Sequence, residues 1–227
     1  MIKNLIFDVY GTLVSTGNGS IAATAKIFRE WGLDESAAEI YSGWKKIHKE
    51  NIARRKAFKT EEEIFTEDLR RLFTERGIDA RAEEKISPMI ESLYGRRLFP
   101  DVEGSMEQIM RRFRVAIGST TDDAPLLDSL RGTVLEGVRQ IFTSERLRKY
   151  KPEREFYSDI LRLTGWEPEE TVFVGDSVED DVIGPKGIGM KAVLIDRKGI
   201  TDPDLLKIPD AVIRSLDELI PAVERMD

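Results

Sequence analysis

Residues 1–13 read MIKNLIFDVYGTL. Leu5-Ile6-Phe7 is a short apolar run that ends abruptly at Asp8, and Val9, Tyr10, Gly11 and Thr12 follow. An apolar run bounded by a turn signal reads as a buried strand. Asp8 then falls just past the strand's carboxyl end, where open α/β sheets bind their ligands. Gly11 permits a tight turn beside it, and Thr12 brings a hydroxyl and a backbone N–H to the same point. A carboxylate so placed can attack an electrophile and carry a covalent intermediate. The alternative is an Asp that caps the next segment.

Further strand-like runs lie beyond Pro100. Val115-Ala116-Ile117 leads into Gly118-Ser119-Thr120-Thr121, and Gln140-Ile141-Phe142 is a short strand. Thr171-Val172-Phe173-Val174 ends in Gly175-Asp176-Ser177, and Lys191 to Ile195 and Ala211-Val212-Ile213 follow. Helices fall between them, near Met106 to Met110, Ala124 to Leu130, and a stretch carrying Phe156, Ile160, Leu161 and Leu163 with Pro152 in its first turn. Val182 to Met190 reads as a short helix and turn, and Ser215-Leu216-Asp217-Glu218 is a capping-box pattern for the last helix. Strands alternating with helices imply a parallel sheet covered on both faces.

From Ile21 to about Leu98 the pattern is helical instead. Ile21, Ala25, Phe28 and Trp31 recur near helical spacing before Gly32. Asp34 or Ser36 can cap a second helix with Ile40, Trp44, Ile47 and Ile52. Ile64, Leu69, Leu72 and Phe73 mark a third helix ending near Gly77, and Ile86 to Leu93 a fourth that closes near Gly95. The expected fold class is therefore α/β: a Rossmann-like parallel sheet with helices on both faces, plus an inserted α-helical cap domain. The expected boundaries are 1–15 and 98–227 for the core and 16–97 for the cap. Gly17 and Gly19 lie in the first crossing, where a hinge would let the cap close over Asp8.

The 227 residues are 41% hydrophobic and 34% charged, enough to bury a full core. A formal net charge of −7 argues against a general partner in nucleic acid or an anionic membrane. An absence of cysteine removes thiol nucleophiles, disulfides and thiolate metal sites. With His48 the single histidine, a metal would be held by oxygen, which favours Mg²⁺. No signal-peptide pattern or membrane-length apolar run is present, so a cytoplasmic location is expected.

In a parallel sheet, Asp8, Ser119 and Asp176 share one edge, and Lys151 can reach it after a loop. Such a set suits a phosphoryl group. Asp8 is the nucleophile, Ser119 and nearby N–H groups hold an oxygen, and Lys151 balances charge. Asp8 and Asp176 can share a Mg²⁺.

DVYGTL, GSTT, KPEREFY and GDSVEDD, in that order, resemble the motifs of the haloacid dehalogenase-like (HAD) hydrolase superfamily across the whole chain, in the subfamily with a helical cap after the first motif. The resemblance implies Asp8 as nucleophile, Ser119 (followed by Thr120) as the second-motif hydroxyl and Lys151 as the third-motif cation. It also implies Asp176 as metal ligand, Asp181 beside the metal or bound through water, and the Tyr10 carbonyl completing the set. Spacing does not choose between Asp180 and Asp181.

Two features pull apart. The family's phosphatases usually carry an acid two positions after the nucleophile, where this chain has Tyr10, and DxYGTL resembles the 2-haloacid dehalogenases. A tyrosine is a poor base at neutral pH. Yet dehalogenases have a metal-free fourth motif, whereas GDSVEDD is acidic and would be self-repelling without a cation. The combination fits a Mg²⁺-dependent phosphatase acting on substrates with good leaving groups. The alternatives are carbon–halogen hydrolysis and a catalytically weak binding or regulatory module on the same fold. The expected partner is a small anionic substrate, with the protein a monomer or homodimer. Gly11 is a candidate substrate contact. In the cationic stretch 44–59, Arg54 or Arg55 reads a substrate anion or belongs to a solvated helix face. His48 is expected to be an ordinary surface or packing residue.

Overall fold

The computed structural model describes residues 1–226. Its strands are β1 (Asn4–Phe7), β2 (Val14–Ser15), β3 (Arg97–Leu98), β4 (Arg114–Ser119), β5 (Gln140–Thr143), β6 (Thr171–Gly175), β7 (Lys191–Ile195) and β8 (Ala211–Ile213). Six of them pair in parallel in the order β5-β4-β1-β6-β7-β8. Phe7 is aligned with Ile117 on one side and Val174 on the other. The chain therefore moves outward from β1 through β4 to β5, then returns across β1 to β6. That reversal makes the carboxyl ends of β1, β4 and β6 a crevice that ligands can enter.

Side-chain alternation in the strands builds two apolar layers. Leu5, Phe7, Ile117, Val172, Val174 and Val193 face one side of the sheet. There they meet Met106 and Ile109 of α6 (Val102–Arg112), Leu126 of α7 (Asp123–Leu130) and Val223 of α11 (Leu219–Glu224). Ile6, Ala116 and Phe173 face the other side, against Phe156, Tyr157 and Ile160 of α9 (Arg154–Thr164). Two short helices, α8 (Ser144–Leu147) and α10 (Gly184–Lys186), complete the core.

Five helices lie between the crossings: α1 (Gly19–Phe28), α2 (Ala37–Arg54), α3 (Glu61–Glu75), α4 (Ala82–Lys85) and α5 (Ser87–Glu91). They enclose an apolar cluster of their own, with Ile27, Phe28, Ile40, Trp44, Leu69, Leu72, Phe73 and Met89 buried in it. Ser36 with Glu39, and Thr60 with Glu63, form capping boxes at the starts of α2 and α3. β2 and β3 pair antiparallel, Val14 with Leu98 and Ser15 with Arg97, so the two crossings run side by side. A two-residue ladder is too short to leave a periodic signal in sequence.

Local readings needed correction in several places. The inward stripe of α1 is Ser20, Ala23, Thr24, Ile27 and Phe28, while Ala25 is exposed and Ile21 half-buried. Counted from Ser20, the i, i+3, i+4, i+7, i+8 pattern selects those positions. Leu163 points to solvent although it lies in α9. Pro152 precedes α9 rather than opening it, because the Glu153 N–H first closes a turn onto the Tyr150 carbonyl at 2.9 Å. The segment after β6 begins earlier than Val182, as a wide π-type turn over Val178–Ile183 that runs into α10. Among the described residues, no helix is long and apolar enough to cross a membrane.

Trp44 is fully buried and its Nε1 donates to Asp68 Oδ2 at 3.2 Å. Its removal takes away apolar volume and one of the two ring N–H partners of a buried carboxylate oxygen. Trp44→Ala is expected to lower stability by about 3–5 kcal/mol, measured by urea unfolding followed by circular dichroism. A loss under about 1 kcal/mol would mean that the cap closes over the space.

Candidate active site

Asp8 sits one residue beyond β1, and its N–H continues the ladder to the Val174 carbonyl at 2.9 Å. The backbone then turns sharply: Gly11 N–H bonds to the Val14 carbonyl at 2.8 Å and Thr12 N–H to the Val9 carbonyl at 3.3 Å. The Thr12 N–H that the sequence placed beside Asp8 therefore closes the turn instead, as does that of Gly11. Gly11 matters through what it lacks. Its φ is +95°, and a Cβ there would lie 2.2 Å from Asp176 Oδ2, so only glycine lets the fourth-motif carboxylate come so close. Gly175 does the same for Asp181, whose Cγ would be 2.2 Å from an added Cβ.

Sheet order brings the motifs to one place. Ser119 Oγ, at the end of β4, donates to Asp8 Oδ1 at 3.1 Å. The buried Lys151 ammonium donates to Asp8 Oδ1 and to Asp181 Oδ1, each at 2.7 Å. Asp181 Oδ2 accepts the Ser177 N–H at 2.9 Å, an arrangement imposed by the wide turn after β6. Each of Asp8, Asp176 and Asp181 offers an oxygen, and these three oxygens lie within 4.8 Å of one another. Asp180 faces away: its carboxylate meets Ser177 Oγ at 3.3 Å, and its main-chain carbonyl accepts the Tyr157 hydroxyl. Position 181 therefore enters the cluster.

Three carboxylates face one ammonium. Asp181 is buried while Asp176 is open to solvent, and loss of solvation together with the neighbouring carboxylates holds both above the ordinary carboxylate range. Burial works against the charge on Lys151, but Asp181 and Asp8 outweigh it and raise its pKa. An all-oxygen donor set with surplus negative charge fits a hard divalent cation.

The remaining sequence candidates are dispersed. Tyr10 lies half-buried with the Arg96 guanidinium 4.7 Å above its ring, and burial pushes its phenol upward, further from use as a base at neutral pH. The Thr12 hydroxyl is buried without a hydrogen-bond partner among the described residues, and its carbonyl accepts Arg197 Nη2 at 2.7 Å. Arg54 is exposed on α2, with Glu50 3.9 Å away, and does not line the cleft. Arg55 does, but it is engaged with Glu153 of the core and stacks over Tyr150. A cavity of about 660 Å³ opens between core and cap, with Thr120 and Lys151 on the core side and His48, Arg55, Phe58 and Glu61 on the cap side.

His48 is no surface residue. Its Nδ1 meets Asp68 Oδ2 at 2.6 Å and its Nε2 lies 3.3 Å from Glu61 Oε2. Burial alone would lower its pKa, but Glu61 and Asp68 outweigh that and raise it to about 10. The first turn of α3 is pinned to the core, since the Asp122 carboxylate accepts the N–H of Glu61 at 2.9 Å and of Glu62 at 3.1 Å. Glu61, Asp68 and Asp122 were missed in sequence. The Thr60–Glu63 capping box places Glu61 in a first turn, but nothing local shows what that turn meets.

The model of a haloacid dehalogenase-like hydrolase matches residues 2–189. Phosphoglycolate phosphatase 1 of Pseudomonas aeruginosa is 25% identical over 97% of this chain and 79% of its own length. Curated relatives of higher identity, 36% to 51%, are matched over only 17% to 38% of their length, so the chain spans only part of them. Among solved structures, the L-2-haloacid dehalogenase of Xanthobacter autotrophicus superposes with a TM-score of 0.78 at 20% identity, covering 100% of both chains. YfnB of Bacillus subtilis, described with magnesium bound, superposes with a TM-score of 0.81 at 20% identity over 98% of this chain and 99% of that one. At such identities the structural likeness shows the fold.

Two outcomes are expected from this geometry. Gly11→Ala strains the turn and displaces Asp176; it should cost at least about 1 kcal/mol in chemical denaturation. An unchanged midpoint would refute the close approach. The second concerns His48, which titrates at 6.5 when unperturbed and at about 10 when folded. Between those values the folded protein holds the extra proton, so the stabilisation is complete below the lower one and is lost as pH rises through the upper. The melting-temperature gap between wild type and His48→Gln should therefore shrink from pH 7 toward pH 10. A constant gap would show that His48 is not charged in the fold.

Proposed function

The chain belongs to the haloacid dehalogenase-like hydrolases, and from that premise we propose that it is a Mg²⁺-dependent phosphatase of a small anionic metabolite whose leaving group departs readily, such as an acyl or aryl phosphate. The observation that carries this reading is the convergence of Asp176 and Asp181 on Asp8 with a single ammonium among them. A dehalogenase has no use for that surplus of negative charge. A metal site does.

Asp8, Asp176, the Tyr10 main-chain carbonyl and Asp181, directly or through water, would hold the ion. Mg²⁺ there would shield an anionic phosphate from an anionic nucleophile. Asp8 Oδ attacks phosphorus while the substrate P–O bond breaks. Ser119 steadies the phosphoryl oxygens from the end of β4, and Lys151 keeps the Asp8 carboxylate aligned for in-line displacement. With Tyr10 where an acid would stand, the core gives the departing oxygen no proton, which is why a good leaving group suits it. The proposed setting is the cytoplasm, with the protein a monomer or homodimer and no nucleic-acid or membrane partner.

Tyr10 supports a second reading, carbon–halogen hydrolysis, in which halide leaves unprotonated and Asp8 forms an ester. A catalytically weak binding or regulatory module is disfavoured because Asp8, Ser119, Lys151 and Asp176 are all present.

Release of 4-nitrophenol from 4-nitrophenyl phosphate should rise with added Mg²⁺, and Asp8→Asn should lower kcat by about a thousandfold or more. Absence of release at every Mg²⁺ concentration, with halide freed from a 2-haloacid, would establish the second reading instead.

A further inference from the structure

The cap presents to the cleft a chain of polar groups that the phosphoryl-transfer step leaves unused. Asp68, fully buried, is fixed by Trp44 Nε1, by Asn51 Nδ2 at 2.7 Å and by His48 Nδ1. His48 Nε2 reaches Glu61 Oε2; the opposite oxygen, Glu61 Oε1, is buried and accepts no well-aligned hydrogen bond among the described residues, the neighbouring Tyr150 hydroxyl donating to the Lys59 carbonyl instead. Glu61 is 7% exposed, yet it lines the same cavity as Lys151 and Thr120. Thr120 Oγ1, next to the serine that touches Asp8, is also buried and unpartnered. A buried polar oxygen left unpaired destabilises the fold unless water satisfies it. A polar space offering two or more such groups is where a water is held.

The phosphatase reading creates a need for that water. Once the leaving group has gone, the phosphoryl group on Asp8 must be removed by hydrolysis, and position 10 offers no carboxylate to activate the attack. On that reading, we propose that Glu61 is the general base of the second half-reaction, its Oε1 and Thr120 Oγ1 together holding the attacking water. As the water oxygen bonds to phosphorus, the P–O bond to Asp8 breaks and its electron pair returns to the Asp8 carboxylate. The water proton passes to Glu61 Oε1 and then to solvent as phosphate leaves. His48 and Asp68 are positioning residues: the imidazolium occupies Oε2 and leaves Oε1 for the water. Asp122 places the whole group by gripping the first turn of α3 from the core.

The test uses the Mg²⁺-loaded enzyme with 4-nitrophenyl phosphate, whose leaving group needs no acid. Glu61→Gln should release about one nitrophenol per active site at the wild-type rate and then turn over about a hundredfold more slowly. The acid-quenched protein should carry a phosphoryl group on Asp8. A merely structural or substrate-reading role would not make the phosphoenzyme accumulate. Steady turnover within about twofold of wild type, or a loss without burst or phosphoenzyme, overturns the proposal. Should glutamine at 61 unfold the cap, Glu61→Ala with added formate decides: restored turnover supports the base, and no restoration overturns it. Failure of the phosphatase reading is seen separately, as wild-type enzyme that releases no nitrophenol with Mg²⁺.

Discussion

A single buried ammonium holds the site together. Lys151 reaches Asp8 and Asp181 at 2.7 Å each. Removing one member of such a set leaves an uncompensated charge in the interior, which costs far more than the pair contributes. The ammonium therefore ties the link between α8 and α9, the turn after β1 and the wide turn after β6 to one another. It does not neutralise them. Three carboxylates against one cation leave a charge deficit at the carboxyl edge of the sheet, and the chemistry proposed above follows from that deficit.

Closeness of this kind depends on atoms that are missing. Gly11 and Gly175 have no Cβ where Asp176 and Asp181 press in. The wide turn over Val178–Ile183 swings Asp181, rather than Asp180, back onto the Ser177 N–H. Wide helical turns of this sort are commonly found where function imposes a local geometry. The core thus gives up regular helix and side-chain bulk so that acidic groups can meet.

The cap is built on different terms. Its helices bury their own aromatic cluster around Trp44 and Phe73, and polar contacts join the cap to the core, among them Asp122 on the first turn of α3, Tyr150 on the Lys59 carbonyl at 3.0 Å and the Arg55–Glu153 pair. A separate apolar core with polar contacts at the boundary is the arrangement expected of a unit that moves relative to its partner. On the cap face toward the cavity, His48, read from sequence as a surface or packing residue, is packed between Asp68 and Glu61.

The sequence by itself determined the α/β class, the helical stretch between the first motif and Pro100, and the motif residues Asp8, Ser119, Lys151 and Asp176. All but Lys151, which enters through the motif resemblance, are written locally, as a strand period broken by a polar residue or as a helical stripe, and local patterns follow from backbone geometry alone. Tertiary structure alone decided which acid joins the cluster, because positions 180 and 181 differ by a turn angle that no spacing encodes. It also decided that the N–H groups of Gly11 and Thr12 close the turn and that Arg55 is engaged by Glu153. The lone histidine lies between two carboxylates drawn from another helix. Such pairings join residues far apart in the chain, and their energies come from burial and from which neighbours the folded backbone supplies.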